Sequence, residues 1–237
     1  MSKYFENQPD SETIKEKIEG FQNWLEIDLD AIGHNLREVK KKTGDAEIVP
    51  CVKANGYGHG IVPCVAYMQT QGVKRVLVAK LGEALQLRNA GLDIGIICLD
   101  PLFSPEQFEK VAELDITQTI YQKKPAKMLS EAAKKLGKEA KIWVKVDTGL
   151  GRVGVNWKEA PEFIEFVAGL PSIRTDGMFS TFSEDEKLDR KQVDRLLDID
   201  SKVKRMGLDS GTKSIASSNA VFHKPYSYLD AVRPGLM

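Results

Sequence analysis

The sequence predicts an α/β protein folded as a closed (β/α)8 barrel of the TIM type. Eight short apolar runs succeed one another from Glu47 to Gly235: "EIVPCVK", "RVLVAK", "IGIICLD", "ITQTI", "KIWVKVDT", "TDGMFS", "KSIASS" and "DAVRPG". Helical segments separate most of them; such alternation builds a parallel sheet, and eight units favour closure over an open doubly wound sheet. The chain has 237 residues, 42% of them hydrophobic, which suits one large core and one barrel domain. There is no internal repeat and no low-complexity segment.

Each element has its own justification. Residues 1–22 are polar and charged and form an N-terminal extension; residues 23–237 form the barrel domain. "WLEIDLDAIGHN" reads as a short strand from Trp24 to Ile27 followed by a helix in which Leu29, Ile32 and Leu36 share a face. Asp28 and Asp30, two positions apart before that helix, supply its N-cap rather than a catalytic pair. Within "EIVPCVK" Pro50 lacks a ladder N–H, which normally confines a strand to an edge or a bulge. Ser104, Pro105 and Gln107 form a capping box with proline in the first turn. From Asp189 to Met206, apolar residues at Val193, Leu196, Leu197, Ile199 and Val203 predict a long amphipathic helix.

Composition narrows the function. Lys+Arg and Asp+Glu both number 34, so no basic field attracts nucleic acid. Cys51, Cys64 and Cys98 lie in apolar segments without ligand spacing, which favours buried free thiols in a reducing compartment and no metal site. No signal-like stretch and no run near the ~20 apolar residues of a membrane span is present. The expectation is a cytoplasmic protein with no membrane partner.

In a (β/α)8 barrel the active site lies where strands end and the loops to the next helix begin. Lys53 closes the first strand, Arg152 follows the fifth, Thr181 the sixth, Ser217 and Ser218 the seventh, and Arg233 and Gly235 mark the eighth. These residues should therefore converge on one mouth. A lysine at the rim of an apolar barrel has its ammonium form disfavoured by burial and nearby arginines, which leaves an amine that attacks carbonyls. The "ANGYGHG" loop lets the backbone approach a ligand and offers the Tyr57 hydroxyl. Ser217, Ser218 and main-chain N–H groups near Gly235 fit a phosphate at the last strands. Together these groups suggest pyridoxal phosphate.

"WLEIDLDAIGHN", "VKANGYGHG", "KVDTGLGRVGV" and "AVRPG" resemble, in order and spacing, the signatures of the pyridoxal-phosphate alanine racemase family, from Trp24 to the end of the chain. The resemblance implies that Lys53 carries pyridoxal 5'-phosphate and acts as one catalytic base, and that Arg233 faces the pyridine nitrogen. It implies that Arg152 binds the substrate carboxylate, and that Lys145 matches a lysine whose carbamate positions that arginine. Tyr57, Ser218, Gly235 and Leu236 would hold the phosphate. Thr181 stands where the family usually has a histidine beside the ring. The implied reaction is interconversion of L-alanine and D-alanine, with serine, lysine or ornithine as alternative substrates; a non-catalytic cofactor carrier on a single barrel is the rival class. Racemisation needs a base on each face of Cα. In the family the second is a tyrosine from the C-terminal β domain of the other subunit of a homodimer, and this chain stops at "VRPGLM", before that domain.

Residues outside these motifs have ordinary readings. His34 belongs to a helix surface, His223 to a loop and His59 to a structural hydrogen bond. Asp147 bonds within its own loop.

Overall fold

Nine parallel strands, β1 (Glu47–Ile48), β2 (Arg75–Val78), β3 (Gly95–Cys98), β4 (Thr117–Ile120), β5 (Ala140–Asp147), β6 (Val155–Asn156), β7 (Ile173–Phe179), β8 (Thr212–Ser217) and β9 (Ala231–Arg233), organise the computed structural model, which describes residues 3–235. Eight of them pair in the order β1-β9-β8-β7-β5-β4-β3-β2, and a bridge between Cys51 and Leu77 joins β1 to β2 and closes the ring. The expected (β/α)8 barrel is the fold, and each of the eight apolar runs supplies one of its strands. The ninth strand, β6, pairs only with the end of β5 and was not anticipated from the sequence.

Pro50 explains why closure is narrow. The N–H groups of Glu47, Val49 and Cys51 point to β9 and its continuation, donating to Asp230, Val232 and Pro234 carbonyls. The intervening residues face β2, where Val52 N donates to Leu77 O and Leu77 N donates to Pro50 O. Proline has no N–H to add on that side, so the seam is held by few bonds.

Trp24–Ile27 is not a strand. A strand needs an edge to pair with, and the closed barrel leaves none. The segment runs irregularly, with Trp24 and Leu25 exposed. The helix after it, Leu29–Thr43, starts as expected, with Asp28 Oδ1 accepting from Asp30 N and Ala31 N. The long helix spans Glu186–Arg205, three residues earlier at its start than the periodicity indicates, because Asp185 provides the cap. Helix Pro105–Glu113 begins where Gln107 Oε1 accepts from Ser104 N and Phe103 N.

Two apolar layers result. Alternate strand residues such as Ile142, Val144 and Val146 pack outward against the helices, in the large core. Those of opposite parity, Val49, Leu77, Ile97, Trp143, Phe179 and Ala231, fill the barrel interior. Gly177 is required here: a Cβ at that position would lie 2.8 Å from Trp143 Nε1. This inner plug is the floor of the site.

Candidate active site

Moving two residues along each strand from the plug leads to the mouth, because side chains alternate faces. Above Val49 come Cys51 and Lys53, above Trp143 comes Lys145, above Phe179 comes Thr181, and above Ala231 come Arg233 and Gly235. All of these line one cavity of about 410 Å³, together with Tyr57, Arg152, Ser217 and Ser218. Every site residue expected from the sequence is thus in one place, except Leu236, which lies outside the described residues.

The Lys53 turn is strained. Ala54, Asn55 and Gly56 have φ of 53°, 55° and 63° and ψ of 50°, 45° and 39°, and Tyr57 follows at φ 54°. This is a left-handed helical turn, closed by Gly56 N donating to Val52 O at 2.9 Å, and it costs about 1–2 kcal/mol for each non-glycine residue in it. Glu83 holds the turn in place. Its Oε1 accepts from Ala54 N at 2.6 Å and its Oε2 from Ala79 N at 2.8 Å. Asn55 Oδ1 accepts from Ile61 N at 2.9 Å, and His59 Nδ1 lies 2.9 Å from Gly56 O, the structural role expected for that histidine.

Tyr57 donates its hydroxyl to Cys51 Sγ at 3.4 Å. Burial and that contact push the phenol above its ordinary value. Cys51 is half-buried and borders the cavity, which corrects its expected place in the core; Cys64 and Cys98 are buried and free, as expected. The position of Cys51, two before Lys53 on the same strand face, was the available signal.

Lys53 itself is exposed at the rim. The burial argued for it belongs instead to Lys145, which is 4% exposed. Lys145 Nζ donates to Thr181 Oγ1 at 3.2 Å and lies 5.1 Å from the Phe179 ring centroid. Burial first, then the charges of Arg233 and Arg152, lower its pKa to about 7. Arg233 is packed on the other strand bordering the interior, its Cζ 4.9 Å from the same ring. It donates through Nε to Ser214 Oγ at 3.0 Å and through Nη2 to Ser180 O at 2.5 Å, and burial lowers its pKa to about 10.

The loop carrying Arg152 is tied at its base. Asp147 Oδ1 accepts from Gly149 N at 2.9 Å and Gly151 N at 3.1 Å, as expected of a loop-bonding aspartate. Strand β6 folds the loop back onto β5, and Arg195 Nη1 donates to Thr148 O at 2.6 Å. Arg152 is left exposed at the mouth. Beside the last strand, Gly235 N donates to Ser218 Oγ at 2.8 Å, and a Cβ on Gly235 would come within 3.1 Å of the Tyr57 hydroxyl. An amide and two hydroxyls therefore face one small space that only glycine leaves open.

The opposite wall, with Ala79, Leu99, Asp100, Pro101, Thr119 and Tyr121, was not anticipated. Thr119 Oγ1 is buried there with no hydrogen-bond partner among the described residues. The lining cations are Lys53, Arg152 and Arg233, with Lys145 as a further base, against the single carboxylate of Asp100. Such a field favours a ligand with more than one anionic group. An exposed amine, a buried guanidinium and a hydroxyl-amide cradle in one cavity fit a phosphorylated carbonyl compound, with Arg152 free for a second anion.

Comparison with known proteins gives a consistent result. Residues 27–237 match the family model described as alanine racemase, N-terminal domain. The chain is 36% identical over 220 residues to alanine racemase of Desulforamulus reducens, and 39% identical over 220 residues to that of Desulfovibrio desulfuricans. Each match covers 90% of this chain and 59% of the relative. Among solved structures, alanine racemase from Bacillus anthracis with bound L-Ala-P superposes with a TM-score of 0.80 at 32% identity, covering 90% of this chain and 56% of that one. The alanine racemase from D-cycloserine-producing Streptomyces lavendulae gives 0.80 at 32% identity, covering 89% and 56%. The chain spans a little over half the length of the proteins it matches.

Proposed function

Because this chain belongs to the alanine racemase family by its N-terminal domain, we propose that it is the pyridoxal phosphate-binding barrel of an amino-acid racemase acting on alanine. The observation that carries the proposal is the convergence of Lys53, Arg152, Arg233, Ser218 and Gly235 on one cationic cavity. When bound, pyridoxal phosphate supplies an aldehyde that condenses with amines and a π system that takes up the charge developing at Cα.

The chain's own residues divide the remaining work. Tyr57, Ser217, Ser218 and the Gly235 amide hold the phosphate. Arg233 would face the pyridine nitrogen and, because a guanidinium does not surrender its proton, would offer that nitrogen a hydrogen bond without protonating it. That limits side reactions and favours return of the proton to Cα. Arg152 takes the substrate carboxylate with its planar fork. Lys53 holds the cofactor and moves the Cα proton on one face. Lys145, unprotonated through much of the neutral range, is the amine form that adds carbon dioxide, and its carbamate would give Arg152 an anionic partner. A non-catalytic carrier has no use for an exposed arginine on a loop tied down by Asp147 and Arg195. The proton on the other face of Cα is assigned to a group outside the cavity's own lining, contributed by a second subunit of a homodimer.

The test is chemical. The chain mixed with pyridoxal phosphate and reduced with borohydride should carry the phosphopyridoxyl mass on the peptide containing Lys53, and Lys53→Ala should carry none. Label on another lysine in the unsubstituted chain would overturn the assignment.

A further inference from the structure

Outside the cavity, behind its phosphate side, a set of polar contacts converges on Glu184, which takes no part in the chemistry above. Glu184 sits at φ 64°, a left-handed backbone conformation that a non-glycine residue keeps only when its surroundings hold it there. Its Oε2 accepts from Asn219 Nδ2 at 2.6 Å and from Lys224 Nζ at 2.6 Å. Those two donors bracket the helix Ser218–His223, one in its first turn and the other directly after its end. One carboxylate thus grips both ends of the segment that begins with Ser218.

The grip is anchored on the long helix. Lys224 Nζ also pairs with Asp189 Oδ2 at 2.5 Å, and Asp189 is fully buried. Ser183 Oγ donates to Asp189 Oδ1 at 3.3 Å, Ser183 N donates to Gln192 Oε1 at 2.9 Å, and Gln192 Nε2 reaches Thr148 Oγ1 at 3.2 Å. Burial acts to raise the Glu184 carboxyl, but hydrogen bonds from Lys224 and Asn219 and the Lys224 charge hold it below its ordinary range. It therefore stays ionised at neutral pH.

We propose that Glu184 is a positioning residue that clamps the helix Ser218–His223 through Asn219 and Lys224, so that Ser217 and Ser218 stand ready for the cofactor's phosphate. The proposal rests on the pyridoxal phosphate reading of the cavity. Its physical basis is a contrast: the Lys224–Asp189 pair alone would fasten the end of the helix, whereas only Glu184 also reaches Asn219, the residue next to Ser218. Glycine would occupy position 184 without strain, so the side chain is what the strained backbone serves.

The experiment compares pyridoxal phosphate with pyridoxal, which lacks the phosphate, by absorbance titration of the full chain. Glu184→Gly removes the carboxylate and relieves the backbone. It should leave the melting temperature close to that of the unsubstituted chain, the relieved backbone offsetting the lost ion pair, yet lower affinity for pyridoxal phosphate about tenfold or more, the range expected for one charge-assisted hydrogen bond, with pyridoxal affinity unchanged. Asn219→Ala should reproduce the loss, and Glu184→Gln, which keeps an oxygen for Asn219, should restore part of it. Equal losses for both ligands alongside a lower melting temperature would mean a structural role only and overturn the proposal, as would an unchanged ratio. If the unsubstituted chain does not prefer pyridoxal phosphate to pyridoxal, the cofactor reading itself fails.

Discussion

Raising the pH should stabilise this protein through Lys145, and Lys145→Met should remove the effect. In the folded chain burial and the charges of Arg233 and Arg152 bring the pKa of this amine to about 7, against an ordinary 10.5. Between those values the unfolded chain keeps a proton that the folded chain has released, so stability rises with pH. Below pH 7 both states hold the proton and the folded state bears the full unfavourable term; above 10.5 neither holds it and the term is gone. Each pH unit inside the window is worth up to about 1.4 kcal/mol, and for a chain of this size each kcal/mol moves the melting temperature by about 2–4 °C. Melting curves in buffers purged of carbon dioxide should therefore show Lys145→Met more stable than the unsubstituted chain near neutrality, with the gap narrowing as the pH rises and closing only near 10.5. Bicarbonate supplies the second half of the assay. Addition of carbon dioxide to the free amine forms a C–N bond, releases one proton and leaves an anion near Arg152 and Arg233, so bicarbonate should raise the melting temperature of the unsubstituted chain and leave Lys145→Met unaffected. Parallel pH profiles for the two proteins, together with no bicarbonate response, would refute the reasoning.

Two other substitutions test the supporting geometry. Glu83→Ala leaves the N–H groups of Ala54 and Ala79 without their carboxylate; it should cost roughly 2–4 kcal/mol in urea unfolding and slow phosphopyridoxyl labelling of Lys53, and labelling at the original rate would show that the left-handed turn holds itself. Arg152→Ala, tested by spectral titration of the cofactor-loaded chain, should weaken binding of alanine about tenfold or more relative to alaninamide, which has no carboxylate; an unchanged ratio would place the carboxylate elsewhere.

The barrel and most of the site were legible in the sequence because both follow from local rules. Period-two alternation puts Val49, Cys51 and Lys53 on one face, and the same parity leads from Trp143 to Lys145 and from Ala231 to Arg233. Carried through the remaining strands, that rule also yields Ala79, Leu99 and Tyr121, which the motif-centred reading passed over. The exposure of Lys53 and the burial of Lys145 were not legible. Both end up at the same mouth, but Lys145 lies inside its strand above Phe179, whereas Lys53 opens the turn beyond its own strand. The expected strand at Trp24–Ile27 failed for a reason visible only after closure, since alternation announces a capacity to pair and the barrel offers no edge.

What remained wholly hidden is the support behind the chemical groups. Glu83 acts on Ala54 across 29 positions, and Glu184 acts on Asn219 and Lys224 across 35 and 40. Neither glutamate stands in a glycine-marked motif, and each would pass as a solvated helix or loop residue. The two backbone segments they support are the Lys53 turn and the Ser218 helix, on either side of the same cavity. The Lys53 turn departs from right-handed geometry at Ala54, Asn55 and Tyr57, and Glu184 departs from it at its own position. Strain of that kind is sustained only by contacts that a relaxed backbone would lose. The chemical residues are thus announced by motif, while the residues that hold them in place are announced by the conformations they force, and those become visible only when the chain is folded.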